Sequence, residues 1–406
     1  MEKLNLLIKK ELAAGTNISI INLVDHLLEC AYFIGASDIH IDPQESKVRV
    51  RLRIDGVLED AHSLPKEIHS EIISRIKILS GLRTDEHSAA QDGRFRSTVS
   101  NKNAIDVRVS IAPTYHGENV VLRILSDNAE NFTLSALGFT EEDQEKIKKA
   151  IKKSSGMILV TGPTGSGKTT TLYTLIKMLN RKEISIVTIE DPIEYAVEGV
   201  EQIQVNPRTE LTFANGLRFI LRQDPNVIMV GEIRDIETAS IAINTALTGH
   251  LLLSTLHTND VSTTLPRLLD MKIEPFLVAS TVSIAIGQRL VRKICEKCKA
   301  EKIITEEEYK RISEATKDAT ILSNKKYFYG KGCESCNHSG YLGRIVIAET
   351  LLADEEIRNA ILRKASASEI KQLAIKNGMT PMLVDGLKKA LLGLTTVEEV
   401  LRAIHE

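Results

Sequence analysis

Between Met157 and Ile176 an apolar run, a glycine-rich loop and a helical pattern follow one another without a break, which leaves little freedom in what this stretch can become. Gly162-Pro-Thr-Gly-Ser-Gly-Lys-Thr169 fits G-x-x-x-x-G-K-[ST] completely. The run Met157-Ile-Leu-Val leads in and Thr170-Thr-Leu-Tyr-Thr-Leu-Ile leads out, the strand–loop–helix setting that a phosphate-binding loop needs. Glycines let backbone N–H groups wrap a phosphate chain, and the helix N-terminus adds its positive end. The cradle is therefore expected over Gly162, Pro163, Thr164, Gly165, Ser166, Gly167, Lys168, Thr169 and Thr170. Lys168 would reach the β- and γ-phosphates of ATP, and the Thr169 hydroxyl would ligate Mg²⁺. Such a loop implies a nucleotide and leaves open what is done with it.

The rest of the chain fits around that loop. Met157-Ile-Leu-Val, Ser185-Ile-Val-Thr-Ile, Val227-Ile-Met-Val and Leu251-Leu-Leu-Ser are short, continuous apolar runs separated by helical patterns. That texture predicts an α/β domain with a buried, largely parallel sheet, over residues 136–290. Residues 37–125 read differently. Ser37-Asp-Ile-His-Ile-Asp and Lys47-Val-Arg-Val-Arg-Leu-Arg-Ile alternate, a helix fits Lys66–Leu79, and alternation returns near Ile105–Ile111 and Asn119–Leu125, which predicts a small α+β domain. Residues 1–36 read as helical, with a stripe through Ile20, Leu23, Val24, Leu27, Leu28 and Ala31. Polar residues 126–135 suit a linker, 291–345 hold four of the cysteines, and 346–406 read as a C-terminal helical region.

Composition narrows the function classes. The net charge of −2 gives no bulk case for nucleic-acid binding, and the absence of Trp with 4% aromatic residues speaks against a base-stacking channel. No apolar run is long enough for a transmembrane segment, and the start MEKLNLLIKKEL lacks a signal-peptide plan, so a cytoplasmic protein is expected. Of five cysteines, Cys30 reads as a small buried apolar residue. The others form Cys295-x-x-Cys298 and Cys333-x-x-Cys336, 34 residues apart. Two such knuckles close a tetrahedral Zn²⁺ site whose four positions are all thiolate, hence structural rather than catalytic. Lys293, Lys297 and Lys299 would offset part of its charge.

Ligands of open α/β sheets lie beyond the carboxyl ends of the strands. Glu190 and Asp191 end one run, and Glu232 follows another after Gly231. Glu190 is the expected carboxylate for orienting an attacking water, and Glu232 the one acting on Mg²⁺ through a water. His257 closes the next strand on the same edge, whereas His250 opens it and can be structural. Arginines crowd the small domain: Arg49, Arg51 and Arg53 on one strand face, which a solvated surface would equally explain, then Arg94, Arg96, Arg108 and Arg123. Arg218 and Arg222 stand at i and i+4, on one face of an expected helix.

These residues carry a resemblance. The loop, Ile189-Glu-Asp-Pro-Ile-Glu194, Asp224-Pro-Asn-Val-Ile-Met-Val-Gly-Glu-Ile-Arg-Asp235 and Thr248-Gly-His-Leu-Leu-Leu-Ser-Thr-Leu-His-Thr-Asn-Asp260 resemble the Walker A, Asp, atypical Walker B and His boxes of the type II secretion and type IV pilus ATPases. Ser37-Asp-Ile-His-Ile, Arg51-Leu-Arg-Ile-Asp-Gly56, Gln91-Asp-Gly-Arg94 and Asp106-Val-Arg-Val-Ser110 extend the likeness to the small domain, so that it covers roughly residues 20–406. The resemblance implies a RecA-like ATPase domain, an N-terminal PAS-like α+β domain, a zinc subdomain and a helical cap. It implies a cytoplasmic homo-hexamer, peripheral to the inner membrane, that drives pilin or pseudopilin polymerisation through a polytopic platform protein, with no specific nucleic acid. Arg108 and Arg123 would swing onto the phosphates when the domains close, and Arg218 or Arg222 would serve the neighbouring subunit's site. Retraction motors of the family generally lack the tetracysteine, which sets pilus retraction behind assembly or secretion; a DNA-uptake or conjugation-type translocase and an idle scaffold are the further alternatives. Longer members carry an N-terminal docking domain, and only residues 1–36 precede the small domain here, as expected of a short or trimmed member.

Overall fold

A computed structural model describes residues 2–13, 18–99, 103–125, 133–316, 321, 323 and 326–405. The chain divides into two compact units, Met1–Glu130 and Asn131–Glu406.

In the first unit the expected N-terminal helix is two helices, α1 (Glu2–Ala13) and α2 (Ile20–Phe33). Ser19 caps α2, its hydroxyl accepting from the Asn22 amide at 3.4 Å. Leu23, Val24, Leu27, Leu28 and Ala31 of the stripe are buried; Ile20, at the helix start, is only partly so. Six antiparallel strands follow: β1 (Ala36–Pro43), β2 (Lys47–Ile54), β3 (Val57–Pro65), then, after helix α3 (His69–Leu79), β4 (Gln91–Val99), β5 (Asn103–Thr114) and β6 (Gly117–Leu125). Their order in the sheet is β3-β2-β1-β6-β5-β4. Alternation works as the period of two requires: Val48, Val50 and Leu52 are buried with α2's stripe, while the intervening arginines face outward. Ile8 of α1 and the stripe of α2 thus contribute to this unit's core.

The second unit opens with α4 (Leu134–Leu137) and α5 (Glu141–Ile151), so helix begins inside the expected linker; its residues 126–132 lie outside the described ones. Next come β7 (Gly156–Thr161), α6 (Lys168–Leu179), β8 (Ile186–Glu190), β9 (Glu201–Gln204), α7 (Phe213–Ile220), β10 (Val227–Val230), α8 (Ile236–Leu247), β11 (Leu251–Leu256) and β12 (Val282–Ile294). Strands β13 (Lys299–Ile303) and β14 (Lys326–Gly330) pair with each other, and β15 (Tyr341–Leu352) returns to the main sheet. That sheet runs β15-β12-β7-β11-β10-β8-β9, all parallel except β15. The phosphate loop leaves β7 where the chain order reverses between β12 and β11, the crevice at which such sheets bind ligands.

Two expected boundaries shift. A break at residue 290 would cut β12, and residues 346–352, expected as helix, complete β15. Both runs are apolar enough to have signalled strands. The cysteine region therefore grows out of a β12–β15 hairpin of the main sheet. Helices from Glu355 to His405 cover this end; Asp385 accepts from the Ala348 amide (2.8 Å), and Lys389 reaches the Val346 carbonyl (2.7 Å), tying helix Met382–Leu391 to β15.

Candidate functional site: a phosphate loop and two unlike carboxylates

The loop's shape follows from its glycines. Gly162 has φ +146° and Gly167 φ +85°; at Gly162 an added Cβ would lie 2.4 Å from the Gln288 carbonyl oxygen of β12. Gly167 is also the N-cap of α6, so Lys168 is that helix's first residue. The Lys168 ammonium is almost buried and donates to two carbonyls of its own loop, Gly162 at 2.9 Å and Pro163 at 3.0 Å. Burial pulls its pKa below the ordinary lysine range, and the charge of Glu232 acts in the opposite direction. The hydroxyl of Ser166 is buried without a hydrogen-bond partner.

Two side chains hold the loop from below. The Gln288 amide donates to the Ser166 carbonyl at 2.8 Å, and its carbonyl accepts from the Thr171 hydroxyl at 2.8 Å. Thr161, at the end of β7, donates its hydroxyl to the Leu256 carbonyl (3.0 Å) and also meets Thr258 beyond β11. That second contact links the phosphate loop to the segment carrying His257. Further along, the buried Glu349 carboxylate accepts from the Val261 amide (2.8 Å) and the Met382 amide (3.2 Å), and burial raises its pKa.

The two strand-end glutamates have opposite surroundings. Glu190 is 2% exposed. Its Oε1 accepts from the Thr188 hydroxyl (2.6 Å) and the Gln202 amide (3.0 Å), and its Oε2 from the Tyr173 hydroxyl. Burial and the adjacent carboxylate push the Tyr173 hydroxyl far above its ordinary range, so it remains a donor. Glu232 instead lies between an arginine and a histidine: Arg234 at 2.6 Å on Oε1 and His257 Nε2 at 3.0 Å on Oε2. His250 stays apart, its ring bonded to the Thr245 carbonyl at 3.2 Å.

Several of the arginines pair with carboxylates. In the first unit Arg49 pairs with Asp60, Arg51 with Asp42 (2.6 Å), and both Arg53 (3.4 Å) and Arg123 (2.9 Å) with Asp38. Arg123 lies in register with Arg108, and Arg108 with Arg94. In the second unit Arg218 pairs with Glu237 at 2.7 Å. Arg222 lies beyond the end of α7, so the two do not share a helix face; its guanidinium folds back on the Arg218 carbonyl (3.0 Å) and over the Phe219 ring. A cation closing the last carbonyls is the usual gain at such an end.

The sulfurs of Cys295, Cys298, Cys333 and Cys336 all lie within 4.8 Å of one another. Individual pairs lie 3.8 Å (Cys295–Cys333), 3.9 Å (Cys298–Cys336) and 3.7 Å (Cys333–Cys336) apart. A tetrahedron with Zn–S bonds of about 2.3 Å has edges of about 3.8 Å, so the donor set is compatible with zinc. Lys297 reaches Ser335 in the opposite knuckle at 2.9 Å, while Lys299 turns over the Phe328 ring.

Residues 14–402 match the sequence profile of the Type II/IV secretion system protein family. The chain belongs to that family. It is 47% identical over 390 residues to a type II secretion system protein E of Xanthomonas campestris, covering 95% of this chain and 68% of that protein. With the type II secretion system ATPase E of Vibrio cholerae the identity is 44%, covering 95% and 76%. The type IV pilus assembly ATPase PilB of Thermus thermophilus is 45% identical, covering 93% of this chain and 42% of that one. Among solved structures, the pilus retraction motor PilT with bound ADP matches at TM-score 0.63 and 27% identity, over 94% and 96% of the two chains. The Legionella pneumophila ATPase DotB matches at TM-score 0.70 and 23% identity, over 96% and 97%, which is a likeness of fold.

With that membership and an intact phosphate loop, this member of the family is an ATPase on an α/β fold. Sequence reasoning had not found Tyr173, Gln202, Arg234 or Gln288. Gln288 did leave a signal, being an amide directly after the run Val282-Ser-Ile-Ala-Ile-Gly287; a polar side chain there has to find a partner. Among the described residues no helix is long and apolar enough to cross a membrane.

Proposed function

We propose that this ATPase is the motor of a type II secretion or type IV pilus assembly machine, acting as a homo-hexamer on the cytoplasmic side of a polytopic inner-membrane platform protein. The observation that carries the catalytic part is the carboxylate of Glu232, held between His257 and Arg234 and coupled in charge to Lys168. Lys168 would exchange its two loop carbonyls for phosphate oxygens, and the Thr169 hydroxyl would hold a Mg²⁺ that, when bound, would supply charge neutralisation for the phosphates. Glu232 orients the attacking water, with His257 fixing the carboxylate. Glu190, enclosed by three uncharged donors, instead braces the strand end.

Arg108, Arg123, Arg218 and Arg222 stabilise charge on the transferring phosphoryl group, within the chain or across a junction. For Arg123 and Arg218 this means leaving partly exposed ion pairs. The exposed Arg218–Glu237 pair contributes only about 0–1 kcal/mol, whereas Arg123 would leave behind the buried Asp38, which keeps Arg53 at 3.4 Å. Assembly or secretion is favoured over retraction by the tetracysteine cluster and by relatives named for those outputs. The cluster binds one structural Zn²⁺.

Steady-state hydrolysis by the wild-type chain and by Lys168→Ala tests the central claim: the variant should fall to background while remaining folded. Equal rates would refute it. Specific activity that rises with protein concentration, and partial recovery on mixing Lys168→Ala with Arg218→Ala chains, would support a ring. Elemental analysis should find one zinc per chain.

A further inference from the structure

The Gln288 carboxamide grips the phosphate loop and the first turn of α6 at once. It is fully buried in β12, 122 residues from one partner and 117 from the other, and each half of the amide is used. Its Nε2 donates to the Ser166 carbonyl at 2.8 Å, while its Oε1 accepts from the Thr171 hydroxyl at 2.8 Å. Because a trans peptide unit is planar, its C=O and the following N–H point in opposite directions. The Ser166–Gly167 bond is trans, the cis bond of the described chain being Asp191–Pro192. Drawing the Ser166 carbonyl toward Gln288 therefore turns the Gly167 N–H to the other side. Gly167, at φ +85°, has a conformation in which a backbone has other options, so something must select this one.

We propose that Gln288 is a positioning residue for nucleotide binding: by holding the Ser166 carbonyl it aims the Gly167 amide at the phosphate chain and keeps the loop shaped before nucleotide arrives. This rests on the reading of the loop as the ATP site. A carboxamide suits the task because it pairs one donor with one acceptor and carries no charge. A glutamate of the same shape keeps the acceptor for Thr171 but, when ionised, faces the Ser166 carbonyl with a second acceptor. Protonated, the same carboxyl regains a donor. Methionine keeps the length and loses both bonds.

The test is equilibrium binding of fluorescent (mant-labelled) ATP and ADP by the full chain, with apo thermal melts alongside. Wild type should bind both, and Lys168→Ala should not; a wild type that binds neither would refute the nucleotide reading itself, and this inference with it. Given a binding wild type, Gln288→Met should weaken ATP and ADP alike, by roughly ten-fold, the usual effect of stranding one buried polar group. Thr171→Val, which leaves the Ser166 bond in place, should cost clearly less. Gln288→Glu should bind poorly at pH 8 and recover toward wild type as pH falls toward 5.5, a trend that Gln288→Met should lack. A merely structural glutamine would instead lower the apo melting temperature and leave the affinity of the folded fraction, and its pH profile, unchanged. That outcome, or Gln288→Met binding as well as wild type, would overturn the proposal. If Gln288→Met does not fold, the pH recovery of Gln288→Glu decides the matter in the same way.

Discussion

Glu190 and Glu232 stand at the ends of adjacent parallel strands, with Gly231 donating its amide to the Ile189 carbonyl between them. By position they are near equivalents, yet one is surrounded by hydroxyl and amide donors and the other by the Arg234 guanidinium and the His257 ring. Neutral donors that fill both oxygens of a buried carboxylate satisfy it and fix neighbouring elements; here they join α6, β8 and β9 through Tyr173, Thr188 and Gln202. Arg234 and His257 do something else. They leave Glu232 as one member of an electrostatic group that includes Lys168, whose balance changes when phosphate and Mg²⁺ arrive. Place at a strand end marks a candidate, and the chemistry of the neighbours assigns its task.

The largest effect that could break this contrast is on turnover. Glu232→Gln keeps the shape and the His257 contact but removes the base-like charge. Single-turnover hydrolysis should fall by about 10²-fold or more, the scale of a lost general base, with ATP still bound. Rates within a few-fold of wild type would reverse the roles assigned to the two residues.

Glu190→Gln should act mainly on stability. A carboxamide offers one acceptor oxygen where the carboxylate offers two, and its NH₂ must face a donor from Tyr173, Thr188 or Gln202. Stranding a buried polar group costs about 1–3 kcal/mol, a drop of a few degrees in Tm for a unit of this size. Turnover of the folded protein should change much less than for Glu232→Gln. Abolished hydrolysis with an unchanged Tm would return the water-orienting role to Glu190.

The parts of this arrangement legible in the sequence were those set by local rules. The loop, the helix after it and the four apolar strands follow from short-range pattern, and the knuckles from spacing. Strands β12 and β15 were missed because their partners lie far off in sequence: β15 pairs antiparallel to β12 across the whole cysteine region. The division of labour between Glu190 and Glu232 was equally hidden. Gln202 comes from the short, polar edge strand β9, and Tyr173 looks like any core residue of a helix. Arg222 shows the reverse error, since i,i+4 spacing pointed to a shared helix face and the helix ends before it.

The finest test uses pH. Burial holds Lys168 below its ordinary pKa, and the charge of Glu232 partly restores it. Removing that charge in Glu232→Gln should lower the Lys168 pKa further. Phosphate binding needs the ammonium, so the alkaline fall in ADP affinity should begin at a lower pH in the variant than in wild type. Stability should move the other way. A lysine whose folded pKa is depressed destabilises the fold while it is charged, below that pKa; the penalty is relieved as pH rises from the folded value toward 10.5, its ordinary one. Across that window the apo protein should gain stability while it loses affinity for ADP, and both changes should start earlier in Glu232→Gln. Glu190→Gln, whose charge is not among those acting on Lys168, should leave both onsets where they are in wild type. If the two variants shift the ADP-binding limb equally, Glu190 belongs to the same electrostatic group as Glu232 and the contrast between them fails.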